Sequence, residues 1–118
     1  MKNKGNSFLV RAGFALAGLG HAIRYERSFR TELAAAGAAI AATIALRPGW
    51  VWAALIAVAI GLVLTAELVN TALEHALDGL HPEQARFVAI AKDCAAAAVS
   101  VASMLSVVLF ALMLADVW

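Results

Sequence analysis

The three longest stretches of this chain without a charged residue are 33–46, 48–66 and 94–115. A helix crosses the roughly 30 Å hydrocarbon layer of a bilayer with about 20 mostly apolar residues, about 17 at the least. The third stretch meets this by itself. The second meets it from Pro48, and the first meets it if the helix starts near Phe29 and carries Glu32 at its end. No polar face is left on these segments to turn toward water, as helices of a soluble bundle require. Composition agrees, with 64% hydrophobic and 14% charged residues in 118, against about 45–50% and about 25% in soluble domains. A domain this small is mostly surface and could not hide so much apolar side chain from water. The expectation is an all-α membrane protein, one domain over 1–118, with transmembrane helices at about 29–46, 50–78 and 86–115.

Arg47-Pro48-Gly49 joins the first two spans as a tight turn, which makes them antiparallel. Gly79 and His81-Pro82 break the segment between the second and third. Lys2, Lys4, Arg11, Arg24, Arg27, Arg30, Arg86 and Lys92 then fall on one side of the membrane, and Arg47 alone on the other. The positive-inside rule puts the N-terminus in the cytoplasm and the C-terminus outside. Trp50, Trp52 and Trp118 gather at the outer boundary, where indole rings favour the headgroup layer.

The first 25 residues resemble a signal peptide only superficially, because Arg11 interrupts the apolar stretch. On a helix, Phe8, Ala12, Leu16, Leu19 and Ile23 share one face, and Lys4, Ser7, Arg11 and Tyr25 another. That pattern predicts a helix at about 5–25 lying in the membrane interface. The alanine-rich stretches Ala34–Ala42 and Ala95–Ala98 let helix backbones approach closely in lipid.

The second span ends in a polar stripe. Glu67, Asn70, Glu74 and Asp78 follow at steps of three, four and four, within about 80° of arc on a helix. At 1.5 Å per residue from Trp50, the apolar layer ends near Val69 or Asn70. Glu67 therefore lies just inside it, at a cost of about 2.5–3.5 kcal/mol for a charge at the centre of a span, which marks it as functional. Glu26 and Arg30, one turn apart at the start of the first span, and Lys92-Asp93, at the start of the third, fall at the same cytoplasmic depth. Taken alone, Glu26 and Arg30 read as a surface pair and Lys92-Asp93 as a helix start. Their common depth argues for convergence.

This inventory suits phosphoryl transfer from a soluble donor to a lipid. Carboxylates can hold Mg²⁺, Lys92 can meet phosphate oxygens, and Asn70 can orient either. Glu67 is placed to take a proton from a hydroxyl in the lipid layer. Other chemistries lack their parts. Gly13 to Gly18 has P-loop glycine spacing, but Leu19-Gly20 stands where Lys-Ser/Thr belongs. His21, His75 and His81 show no metal-ligand spacing and read as interfacial polar residues, and Cys94 reads as a packing residue. A net charge of +1 gives no sign of a nucleic-acid partner.

The segments Glu26-Arg-Ser-Phe29-Arg30-Thr-Glu32, Glu67-Leu-Val-Asn70-Thr71-Ala72-Leu-Glu74 with Asp78, and Ala91-Lys92-Asp93 with Val99 resemble the small integral-membrane lipid kinases of bacteria, the diacylglycerol kinase and undecaprenol kinase family. The resemblance implies a homotrimeric bundle in the bacterial inner membrane, with active sites between protomers at the cytoplasmic surface and MgATP as phosphate donor. By position it implies Glu26 and Glu74 as metal-binding carboxylates, Glu67 as general base, and Asn70 as support for the phosphates. Lys92 and Asp93 look like nucleotide contacts, with Arg11, Phe14 and Arg30 as lesser ones, while Arg30, Glu67, Asn70 and Val99 fall at the lipid acceptor. Phe14 stands where the diacylglycerol branch often has tyrosine, and Cys94 to Val99 is nearer the all-small pattern of the undecaprenol branch. Diacylglycerol is the first expectation for the acceptor and undecaprenol the alternative. A proton-coupled transporter using Glu67 remains the rival from another class, and it has no use for Lys92-Asp93 and Glu26 at the same interface. A structural adaptor is a weaker rival still, since it would leave Glu67 as a needless cost.

Overall fold

The computed structural model describes residues 7–118, so Lys2, Lys4 and the predicted helix start near residue 5 lie outside the described residues. The described chain is four helices: α1 (Phe8–Tyr25), α2 (Arg27–Leu46), α3 (Trp50–Leu80) and α4 (Arg86–Val117). The last three are long and apolar enough to cross a membrane, with α2 about 30 Å, α3 about 46 Å and α4 about 48 Å long at 1.5 Å per residue. α2 begins two residues before the predicted Phe29, while α3 and α4 each run two residues past their predicted ends. The excess length carries the polar ends of α3 and α4 out of the hydrocarbon layer.

Local chemistry sets each boundary. Ser7 caps α1, its Oγ accepting from Val10 N at 3.4 Å. Arg47 closes α2 in the left-handed region (φ 50°, ψ 57°), and Gly49 has φ 103°, a value that only glycine adopts without strain. Gly79, expected as a breaker, is carried within α3. Glycine only weakens a helix, by about 1 kcal/mol against alanine. Pro82 ends it instead, by forcing the residue before it out of the helical region; His81 has φ −143°, ψ 75°.

Between α1 and α2 the chain turns at one residue. Glu26 (φ −109°, ψ 107°) donates its N–H to Ala22 O at 2.9 Å and accepts from Arg30 N at 3.2 Å, ending one helix and opening the next. Arg30 Nη1 reaches back over the corner to Ile23 O at 3.1 Å and Arg24 O at 3.0 Å. A cation on the final carbonyls opposes the negative end of the helix dipole and satisfies acceptors that α1 cannot satisfy itself.

α4 packs along α3, α2 packs against α3 more sparsely, and α1 touches α2 and α3. The small core comprises Phe29, Ile56, Ala59, Val63 and Met113, with Thr43 beside Met113. At the far end, Trp52 Nε1 donates to Asp116 Oδ2 at 2.8 Å and ties α3 to α4. The surface totals 8387 Å², against about 6,100 Å² for a soluble monomer of this mass. The difference is apolar helix face, including Ile44, Val58, Leu62, Val101, Met104 and Val107. On α1, Phe8, Leu16 and Ile23 are likewise uncovered, as a helix bedded in a lipid surface requires. The protein is an all-α membrane protein.

Candidate active site

Between α2 and α4, with α3 as its floor, runs an apolar groove of about 640 Å³, walled by residues such as Ala35, Ala39, Ile56, Val63 and Phe110. Its one acidic lining residue is Glu32. At this end a smaller cleft of about 400 Å³ opens, lined by Arg27, Ser28, Thr31, Glu32, Glu67, Val99 and Ser103. All three spans contribute to the cleft. The alanines of α2 line the apolar groove, where larger side chains would fill the space against α3.

Glu67 is only 6% exposed, although Leu62 and Val69 on the same helix are 47% and 61% exposed. One turn further along α3, Thr71 Oγ1 donates to Glu26 Oε1 at 3.4 Å. The α1–α2 corner thus delivers the Glu26 carboxylate to the polar stripe of α3. Ser103 Oγ donates to Glu32 Oε2 at 3.3 Å, which fixes a fourth carboxylate from the other side. Glu32, Glu74 and Glu26 are the acids whose charges act on Glu67. Among the described residues no lysine or arginine pairs with any of the four, since the two ion pairs there are His81–Glu83 and Lys92–Asp78.

Asn70 Oδ1 is buried in the same stripe with no hydrogen-bond partner. A buried polar atom left so costs about 1–3 kcal/mol. It and the unneutralised carboxylates form a set of hard oxygen donors, the type that suits Mg²⁺ or Ca²⁺. Among the described residues, no three His, Cys, Asp or Glu side chains close on a common metal position. That is compatible with Mg²⁺, which commonly takes one or two carboxylates and fills its remaining positions with substrate phosphate and water.

The other expected site residues fall into two groups. Val99 shares the cleft with Glu67, and Glu26, Asn70 and Glu74 line the stripe beyond it. Lys92 holds Asp78 Oδ1 at 2.7 Å, with Asp93 exposed beside it. Arg30 is engaged on α1, as described. Arg11 and Phe14 lie about 21 and 16 Å back along α1 from Tyr25, exposed and with no hydrogen bond to the carboxylates among the described residues.

Glu32, Thr71 and Ser103 are site-lining residues that sequence reasoning did not single out. For Glu32 a signal existed. It is the one acidic residue of the first span, and the cost argument applied to Glu67 holds for it equally. Thr71 and Ser103 carried none, because single hydroxyls in spans commonly bond their own helix, as Thr43 does to Ala39 O at 2.7 Å.

The family model for prokaryotic diacylglycerol kinase matches residues 13–114. A diacylglycerol kinase of Synechocystis sp. is 36% identical over 103 residues, covering 86% of this chain and 59% of that protein. The chain thus spans about three fifths of the length of this curated relative. No solved structure matches it. The matched region contains α2, α3 and all but the last three residues of α4, with the acidic stripe of α3, the corner that carries Glu26 and the Lys92-Asp93 pair, and the chain belongs to the prokaryotic diacylglycerol kinase family.

Proposed function

We propose that this protein is an ATP-dependent lipid kinase that moves the γ-phosphate of MgATP to the primary hydroxyl of diacylglycerol, giving phosphatidic acid. The observation that carries this reading is the set of carboxylates around buried Glu67, on a cleft continuous with an apolar groove. An acyl chain suits the groove, and the lipid's hydroxyl would then meet the polar groups of the cleft, Glu67, Glu32 and Ser103 among them.

In this mechanism Glu67 accepts the hydroxyl proton as the acceptor oxygen bonds to the γ-phosphorus. The bond to the bridging oxygen breaks, and ADP leaves with the electron pair. Such a transfer depends mainly on positioning and charge neutralisation. Glu26 and Glu74 are the residues to hold Mg²⁺, which neutralises phosphate charge when bound. Asn70 offers its unpaired Oδ1 to that assembly. Lys92, released from Asp78, and Asp93 meet the nucleotide, and Val99 bounds the acceptor. Arg30 keeps donors beyond Nη1 for the acceptor's polar end. Arg11 and Phe14 belong to the nucleotide site of a homotrimer, reached from the neighbouring copy. The open groove and uncovered spans support such an assembly, since small residues such as Ala96, Ser100 and Ser103 permit close helix approach. The bacterial inner membrane, with the N-terminus and acidic stripe in the cytoplasm, gives the site access to ATP.

Undecaprenol is the second reading for the acceptor, favoured by Cys94-Ala95-Ala96-Ala97-Ala98-Val99 on α4. The test is phosphorylation of diacylglycerol and undecaprenol in parallel by purified protein in mixed micelles with MgATP. Faster transfer to diacylglycerol is expected. Transfer to neither lipid overturns the kinase reading, and a preference for undecaprenol replaces the first acceptor with the second.

A further inference from the structure

Two histidines far apart in sequence meet where α1 crosses α3. His21 Nε2 and His75 Nε2 are 3.3 Å apart, with ring centres 5.0 Å apart and planes at 76°. Both residues are exposed, and the Tyr25 ring lies tilted beside His21, with ring centres 5.0 Å apart. The kinase reading uses neither imidazole.

Two arrangements that bring imidazole nitrogens this close are a straight hydrogen bond and a shared metal ion. In a straight N–H···N hydrogen bond the rings point at each other, and nitrogens 3.3 Å apart put the ring centres about 5.6 Å apart. On one tetrahedral ion, with metal–nitrogen bonds of about 2.0–2.1 Å, the nitrogens stand about 3.3–3.4 Å apart and the ring centres about 5.2 Å. The observed 3.3 and 5.0 Å lie nearer the second than the first. We infer that His21 and His75 form a two-imidazole site for a borderline divalent transition metal of the Zn²⁺ or Cu²⁺ class, fastening α1 to α3, with water completing the coordination. Imidazole suits these ions, and carboxylate oxygen suits Mg²⁺. The site is therefore chemically separate from the neighbouring carboxylates, although His75 follows Glu74 directly. Its occupant would set how firmly α1 is held over the acidic stripe.

The test uses tag-free protein with Cys94→Ser, which removes the exposed thiol as a competing ligand, in micelles at saturating Mg²⁺. Zn²⁺ alone is titrated while Tm is followed, and Cu²⁺ alone is added for electron paramagnetic resonance. A Tm that rises with Zn²⁺ and a Cu²⁺ spectrum split by two imidazole nitrogens are expected. Both effects should vanish in His21→Ala and in His75→Ala and persist in His81→Ala, whose imidazole lies at the C-terminal end of α3 beside Phe87. Kinase activity without Zn²⁺ reports whether each variant is folded. A Tm that ignores Zn²⁺, or Zn²⁺ and Cu²⁺ responses that survive both alanine variants, overturns the site. The readouts are independent of lipid phosphorylation, so a failed kinase reading leaves them interpretable.

Discussion

Replacing Glu67 by Gln removes one charge and one proton acceptor while keeping shape. The side chain is 6% exposed and shares its cleft with Ser28, Thr31, Glu32, Val99 and Ser103, so a neutral amide of nearly equal volume fits there. Glu74 lies seven residues on, about 10 Å along the helix axis. At an effective dielectric constant of about 20, two unit charges at that distance repel by about 1.7 kcal/mol. Glu32 and Glu26 add to the repulsion felt by an ionised Glu67. The variant should therefore unfold no more readily than the parent chain. It should also bind MgATP almost as well, since Glu26, Asn70 and Glu74 are untouched. Turnover should nevertheless fall at least about 10²-fold, the lower end of what a positioned general base supplies. The assay is steady-state phosphorylation of diacylglycerol in mixed micelles, with nucleotide binding and Tm measured on the same preparations. Near-normal kcat at neutral pH would refute the reasoning and leave Glu67 as a structural acid. A lost MgATP affinity would instead place Glu67 in the metal set.

Glu74→Gln should lose activity chiefly through weaker Mg²⁺ binding, because a neutral amide replaces a carboxylate on a hard cation; activity partly restored at raised Mg²⁺ is the expected result, and an unchanged Mg²⁺ dependence removes Glu74 from the ligands. Asp78→Asn breaks a 2.7 Å pair whose side chains are 37% (Lys92) and 67% (Asp78) exposed. Exposed pairs contribute about 0–1 kcal/mol, so Tm should barely move while the KM for ATP holds or falls as Lys92 is freed; a large loss of stability contradicts this. Arg30→Ala removes the donor that meets Ile23 O and Arg24 O. The last turn of α1 should exchange its amide protons faster, and the KM for MgATP should rise as the corner holding Glu26 loosens. Unchanged exchange there would show that Glu26 needs no such brace.

Three spans, their antiparallel turn and the polar stripe of α3 were legible in the chain because each rests on local terms. Charge-free length decides what lipid accepts, Pro48-Gly49 makes the turn, and a period of 3.6 residues aligns Glu67, Asn70 and Glu74. Glu26 could be placed only by depth. That it forms the corner between α1 and α2, with no glycine or proline to announce a break, depends on Arg30 capping one helix and Thr71 receiving the carboxylate from another. The apparent break at Gly79 failed for the converse reason. A glycine's intrinsic penalty is small enough for the helix to run through it to Leu80.

Nor could spacing pair Ser103 with Glu32, 71 residues away, or His21 with His75, 54 residues away. Those meetings depend on the angle at which helices cross and on which alanine faces let them close. Sequence alone determined what had to lie in lipid and how deep each charge could sit, because transfer free energy belongs to the residue. Tertiary structure decided which carboxylates share a cleft and which donors are already engaged, because those terms exist only between helices.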